Sequence, residues 1–165
     1  MSRYGCVVEW ARGNAPFTSG KYSRAHDWRF DGGAVVRGSS SPHSVRVPWS
    51  DPQAVDPEEA LVAATSSCHM LWFLSLAAEQ GYVVDSYTDT AEAQLGPIGF
   101  GRQGILAIVL HPQVTFSGPR AADDAAVRQL HEVAHERCYI ANSLRSEVRV
   151  EGGWRMADAP PARAQ

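Results

Sequence analysis

The segment from Asp56 to Gly81 constrains this chain more than any other. Asp56-Pro57-Glu58-Glu59 offers an N-cap acid, a proline at the first helical position and two acids in the first turn. Glu59 stands where it can complete a capping box with Asp56. The helix then runs from Ala60 to about Gln80 and stops at Gly81. Its interior, Leu-Val-Ala-Ala-Thr-Ser-Ser-Cys-His-Met-Leu-Trp-Phe-Leu-Ser-Leu-Ala-Ala, is apolar or small nearly all round. Such a helix is expected to be buried on most faces, at the centre of the fold.

The elements around it are shorter. Residues 4–10 and 22–30 read as strands separated by a Gly/Asn/Pro loop, and Asp31-Gly32-Gly33 turns the second into a return strand at 34–37. Val45-Arg46-Val47 reads as a short strand ended by Pro48. After the helix, 82–95 and 104–116 read as two long strands paired as a hairpin. A second helix follows over 121–137, opened by Asp123-Asp124. Residues 138–144 read as a separate short helix and 145–150 as a closing strand. The order of strands, long helix, hairpin, helices and strand predicts an α+β fold with a mostly antiparallel sheet. It predicts one domain over 1–155 and a frayed Ala/Pro-rich tail over 156–165.

Composition narrows the function classes. With 165 residues, 44% hydrophobic and 20% charged, the chain is globular and long enough to bury a core without staples. The net charge is −3 and no run of basic residues exceeds two, which speaks against nucleic acid or an anionic membrane as the main partner. The apolar stretch Met70–Ala78 is too short to span a bilayer, and Met1–Trp10 carries no signal-peptide core. Three cysteines do not make a secreted disulfide framework, so a reducing cytoplasm is the expected location.

Those cysteines are the candidate chemistry. Cys68 lies ten residues into the long helix. It is either a small core residue or, beside a cation, an ionised nucleophile. Cys138, at the junction of two helical segments, is either core packing or a thiolate held by the backbone N–H groups of a helix start. Cys6 alternates with apolar residues in the first strand and reads as structural. His131, His135 and Cys138 share one helix face if the helix continues, a candidate metal site with His69 or water as a fourth ligand. There is no Gly-x-Ser-x-Gly elbow, phosphate loop or Cys-x-x-Cys.

Taken together, Asp56-Pro-Glu-Glu-Ala-Leu-Val-Ala-Ala-Thr-Ser-Ser-Cys68 and Cys138-Tyr-Ile-Ala-Asn-Ser-Leu resemble the two cysteine segments of the OsmC/Ohr family. These are the osmotically inducible and organic hydroperoxide resistance proteins. The resemblance covers nearly the whole chain. It implies a cytoplasmic, thiol-dependent peroxidase that forms an intertwined homodimer and serves a stress response. In that reading Cys68 attacks an organic hydroperoxide, Cys138 resolves the sulfenic acid, and Glu58 with an arginine holds the thiolate. Arg24 and Arg46 are the candidate arginines. The implied reductant is a small dithiol, notably one on a lipoylated protein; no cofactor is implied. Tyr139, where the family has proline, and the aromatic strand His26-Asp-Trp-Arg-Phe with Trp49 suggest a branch with its own pocket.

Geometry adds a demand. Ten helical residues separate Glu58 from Cys68, roughly 15 Å along the axis, so the two cannot touch on one helix. A cluster of both needs a second chain or a folded-back loop. Two other readings compete. One is a non-catalytic metal- or ligand-binding dimer on the same scaffold. The other is a cysteine hydrolase or acyl transferase, disfavoured because His69, next to Cys68, points elsewhere on the helix.

Overall fold

The computed structural model describes residues 1–157. The chain forms two compact units, one over Met1–Leu61 and one from Val62 onward, with the boundary inside the long helix.

The first unit carries a three-stranded antiparallel sheet, β1 (Cys6–Glu9), β2 (His26–Phe30) and β3 (Val35–Gly38), in the order β1-β2-β3. The β2–β3 hairpin closes where Asp31-Gly32-Gly33 predicts it. All four residues of β1 are exposed. The strand expected at Val45–Val47 does not form. Ser44 and Val45 both donate backbone N–H to Ser41 O, and Trp49 donates to Arg46 O, so the segment is a chain of turns. Pro42 and Pro48 bracket it, and neither has an N–H to offer a ladder.

The long helix α1 spans Pro57–Glu79. Its capping box is complete: Glu59 N–H donates to Asp56 Oδ1 at 2.8 Å, and Asp56 N–H donates to Glu59 Oε2 at 3.0 Å. At the other end Gly81 takes φ 78°, Gly81 N–H donates to Ala78 O, and Tyr82 N–H donates to Ala77 O. This paired closure is what a glycine with left-handed backbone allows. The expectation of burial on most faces is not met within the chain. The buried positions are Thr65, His69, Phe73, Leu76 and Ala77, one stripe at helical spacing, while Leu71 is 63% exposed. Counting Met70–Ala78 alone also understated the apolar run: α1 is long and apolar enough, by length and composition, to cross a membrane. Its buried stripe is instead packed into the core of the second unit.

In that unit the two expected long strands each break in the middle. They give β4 (Val83–Asp89), β5 (Glu92–Pro97), β6 (Gln103–Leu110) and β7 (Pro112–Ser117). The hairpin pairing survives, antiparallel, as β4–β7 and β5–β6. The break has a side-chain cause: Asp89 Oδ1 accepts the His111 backbone N–H at 2.7 Å, and Pro112 has none. Two late strands, β8 (Glu147–Val150) and β9 (Gly153–Met156), join in parallel and give sheets β5-β6-β8 and β4-β7-β9. The class is α+β as expected, with mixed sheets. Strand β9 was not foreseen. Met156, expected to open the tail, ends β9, and Ala157 N–H donates to Phe116 O at 2.7 Å. The remainder of that tail, 158–165, lies outside the described residues.

Helix α2 (Asp124–Arg137) is N-capped by Asp123, which accepts Ala126 N–H at 2.8 Å. The short helix expected over 138–144 is a single 3-10 turn at Ala141–Ser143. The core gathers Phe73, Leu76 and Ala77 of α1, Val114 and Phe116 of β7, and Val127, Leu130 and Ala134 of α2.

Candidate thiol site

Helical geometry turns each successive α1 side chain by about 100°, so Cys68 and His69 face different surroundings. His69 sits in the buried stripe and is 1% exposed. Cys68 is half-buried on the neighbouring face, one turn before Trp72. The end of α2 lies against that face. Tyr139 meets Trp72 edge-on with ring centroids 5.7 Å apart, and the Arg137 guanidinium lies 5.6 Å from the centre of the Trp72 ring. Cys138, the C-cap of α2, points inward and is 1% exposed. The Cys68 side chain lies near enough to it to raise its pKa. Seventy residues of chain thus separate two sulfurs that the fold brings together. Cys6 is exposed in β1, apart from this pair in the sequence and in the first unit.

Cys138 does not sit at the start of a helix long enough to hold a thiolate. Ala141 N–H donates to its sulfur at 3.4 Å and Ile140 N–H helps, but burial outweighs both and raises the thiol pKa; the nearby Cys68 raises it further. Cys138 is therefore a protonated, water-shielded thiol at neutral pH, and no cation is among the groups that shift it. A solute arriving from water reaches Cys68 first.

The set His131, His135 and Cys138 does not converge. Cys138 turns to Cys68, whereas His131 turns to His69: His69 Nε2 and His131 Nδ1 share a hydrogen at 3.0 Å, with rings 5.3 Å apart and nearly parallel. His131 also lies on Phe73, centroids 4.4 Å apart. Burial pushes the His69 pKa down to about 3, with His131 and His135 adding to the fall. It pushes His131 down to about 4, against an opposing pull from Asp89. Both rings are neutral at physiological pH. Asp89 is held in turn by the Ser66 hydroxyl at 2.5 Å. Among the described residues, no group of three or more His, Cys, Asp or Glu side chains is arranged to hold a metal ion. Sequence reasoning missed the His69–His131 pair. The signal was there, since His69 completes the stripe Thr65, Phe73 and Ala77 at steps of four.

The other predicted residues belong to the first unit. Glu58 is half-buried in the first turn of α1. Arg46 is exposed, within a turn. Arg24 is half-buried, with its guanidinium 3.8 Å above the Tyr22 ring. Among the described residues, none of the three takes part in an ion pair.

Comparison with known proteins places the fold. The family model described as "OsmC-like protein" matches residues 50–152. An OsmC-like protein of unknown function from Vibrio cholerae is 50% identical, covering 92% of this chain and 99% of its own, with a TM-score of 0.89. Two more distant structures share the fold. An organic hydroperoxide resistance protein from Elizabethkingia anophelis is 18% identical, with coverage of 95% and 98% and a TM-score of 0.67. One from Legionella pneumophila is 17% identical, with coverage of 93% and 98% and a TM-score of 0.65. No curated protein matches the sequence.

Proposed function

Because the chain belongs to the OsmC-like protein family, we propose that it is a thiol-dependent peroxidase acting on organic hydroperoxides. The observation that carries the reading is a half-buried Cys68 whose side chain lies near enough to the buried Cys138 to push the pKa of that thiol up. The names of the Elizabethkingia and Legionella relatives point the same way.

The chemistry balances with these groups. Cys68 thiolate attacks the outer peroxide oxygen and the O–O bond breaks. The organic alkoxide leaves and takes up a proton as the alcohol, and Cys68 becomes a sulfenic acid. The Cys138 sulfur then attacks the Cys68 sulfur. Its proton departs with the hydroxide as water, and a disulfide forms. A dithiol reductant, such as a lipoyl group, returns both thiols and is itself oxidised to a disulfide.

Keeping Cys68 ionised needs a cation, and Glu58 with Arg24 or Arg46 is the proposed source. Since helical rise separates Glu58 from Cys68 by roughly 15 Å, the proposal includes a homodimer in which a second chain completes the site. Exposed apolar side chains support that assembly: Val7 and Val8 on β1 and Leu71 on α1 are each more than half exposed. A reducing cytoplasm suits three free thiols.

One equivalent of cumene hydroperoxide is expected to remove two hydrogens from the intact mass, with Cys68 and Cys138 linked on peptide mapping. Cys68→Ser is expected to abolish peroxide consumption with dihydrolipoamide, and Cys138→Ser to let Cys68 over-oxidise to sulfinic acid. An unchanged mass, or full turnover by Cys68→Ser, overturns the reading.

A further inference from the structure

The first unit contains a cavity of about 470 Å³, large enough for a small organic molecule. Its walls include Val8, Trp10, Phe17, Tyr22 and Pro57, and its polar groups are Arg24, His26, Ser39 and Ser40. The aromatic wall is one cluster: Phe17 stacks on Tyr22 with centroids 4.8 Å apart, and Trp10 meets Tyr22 edge-on at 5.4 Å.

Arg24 is the only lining residue with a permanent charge. Its surroundings fix it at several points. Its backbone N–H donates to Trp49 O at 2.9 Å. Its Nη1 donates to Gly20 O at 2.7 Å and Tyr22 O at 2.5 Å. Its carbonyl is held by His26. Trp28 Nε1–H can only donate, and it meets His26 Nε2 at 2.7 Å, so that nitrogen is the acceptor. The proton of the neutral ring is then on Nδ1, which donates to Arg24 O at 2.7 Å. Gly38 makes room for this: a Cβ there would lie 2.6 Å from His26 Nε2.

Three N–H donors remain unused. Among the described residues, Arg24 Nε and Nη2 have no hydrogen-bond partner and no carboxylate lies within ion-pair distance. That edge of a guanidinium matches a carboxylate in two parallel bonds. The Ser40 hydroxyl, also lining the cavity, is buried without a partner. A preorganised cation, an orphan hydroxyl and an aromatic wall have one common complement.

We propose that the Trp10–Phe17–Tyr22–Arg24 cavity binds a small aromatic carboxylate, its ring against the aromatic wall and its carboxylate on the free edge of Arg24. The site needs neither thiol. A ligand there would also compete with any use of Arg24 beside a thiolate.

The test is calorimetric titration of the full chain with 2-naphthoate and with its neutral counterpart 2-naphthalenemethanol, without peroxide or dithiol. Binding is thereby read independently of peroxidase activity. Naphthoate is expected to bind about tenfold to a hundredfold more tightly than the alcohol, the range of a hydrogen-bonded charge. Arg24→Gln is expected to erase that preference, and Tyr22→Leu to weaken both ligands. Naphthoate should quench tryptophan fluorescence in the native chain and do so less in Trp10→Phe. Equal affinity for acid and alcohol, or no saturable binding of either, overturns the proposal even if Arg24→Gln does not fold.

Discussion

Cys68 and His69 are adjacent in sequence and meet different physics. The cysteine face of α1 is half open and lined by Trp72, Tyr139 and Arg137, with a second thiol beneath. The histidine face is closed, and two neutral imidazoles hydrogen-bond inside it. One face leaves a thiol partly open to solvent. The other holds titratable groups where a proton is unwelcome. The difference comes from a rotation of about 100° per residue and nothing else in the local sequence. A part-open thiol and a closed imidazole pair thereby lie on separate sides of one helix.

Acid should break that separation from the histidine side. The folded pKa values of His69 and His131, about 3 and about 4, lie below the ordinary 6.5. Between pH 6.5 and those values the unfolded chain binds more protons than the folded one, so stability falls as pH falls through that window. Above pH 6.5 the pair is pH-neutral. The slope approaches about 1.4 kcal/mol per pH unit for each histidine. Urea midpoints measured from pH 8 to pH 4 should be flat at first and then drop, and a His69→Leu/His131→Leu variant should lose most of the drop. A native profile without that decline would mean the histidine face is open after all.

Removing one ring is the next test, with a smaller effect. His131→Leu leaves His69 Nε2 buried without its partner, a loss of about 1–3 kcal/mol. His69 Nδ1 already lacks one. The double replacement by leucine removes both polar rings and should lose less than the sum of the single changes. Chemical denaturation of the four proteins gives the coupling directly. Additive losses would mean the two rings do not act as a pair.

The parts legible in the sequence were those governed by local rules. Asp56, Glu59 and Gly81 bounded α1, and Asp123 opened α2, because caps are satisfied by neighbours within a few residues. The thiol pair was legible only through resemblance, since no local rule links residues 68 and 138. The broken strands were not legible: the interruption depends on Asp89 taking the His111 N–H from 22 residues away. Strand β9 was hidden for a similar reason, its partner β7 lying 40 residues upstream. The metal face failed because His131 found His69, a contact spanning 62 residues. The aromatic cavity was foreshadowed by His26 and Trp28, yet its wall is supplied by Trp10, Phe17 and Tyr22 from β1's end and the loop that follows.

The cysteine face should be forgiving where the histidine face is not, and Arg137 tests this. Its guanidinium lies near the Trp72 ring at an exposed position, where such contacts contribute only about 0.5–1 kcal/mol. Arg137→Gln removes the charge and keeps much of the stem that covers apolar surface. The expected loss in denaturation midpoint is at or below that range, and the acid decline should keep its position, because Arg137 is not among the groups that shift His69 or His131. Midpoints of Arg137→Gln and the native protein at pH 7 and pH 5 therefore separate the faces: a constant small offset fits two independent sides. An offset that grows in acid would tie Arg137 to the buried imidazoles, and α1 would have one coupled electrostatic environment.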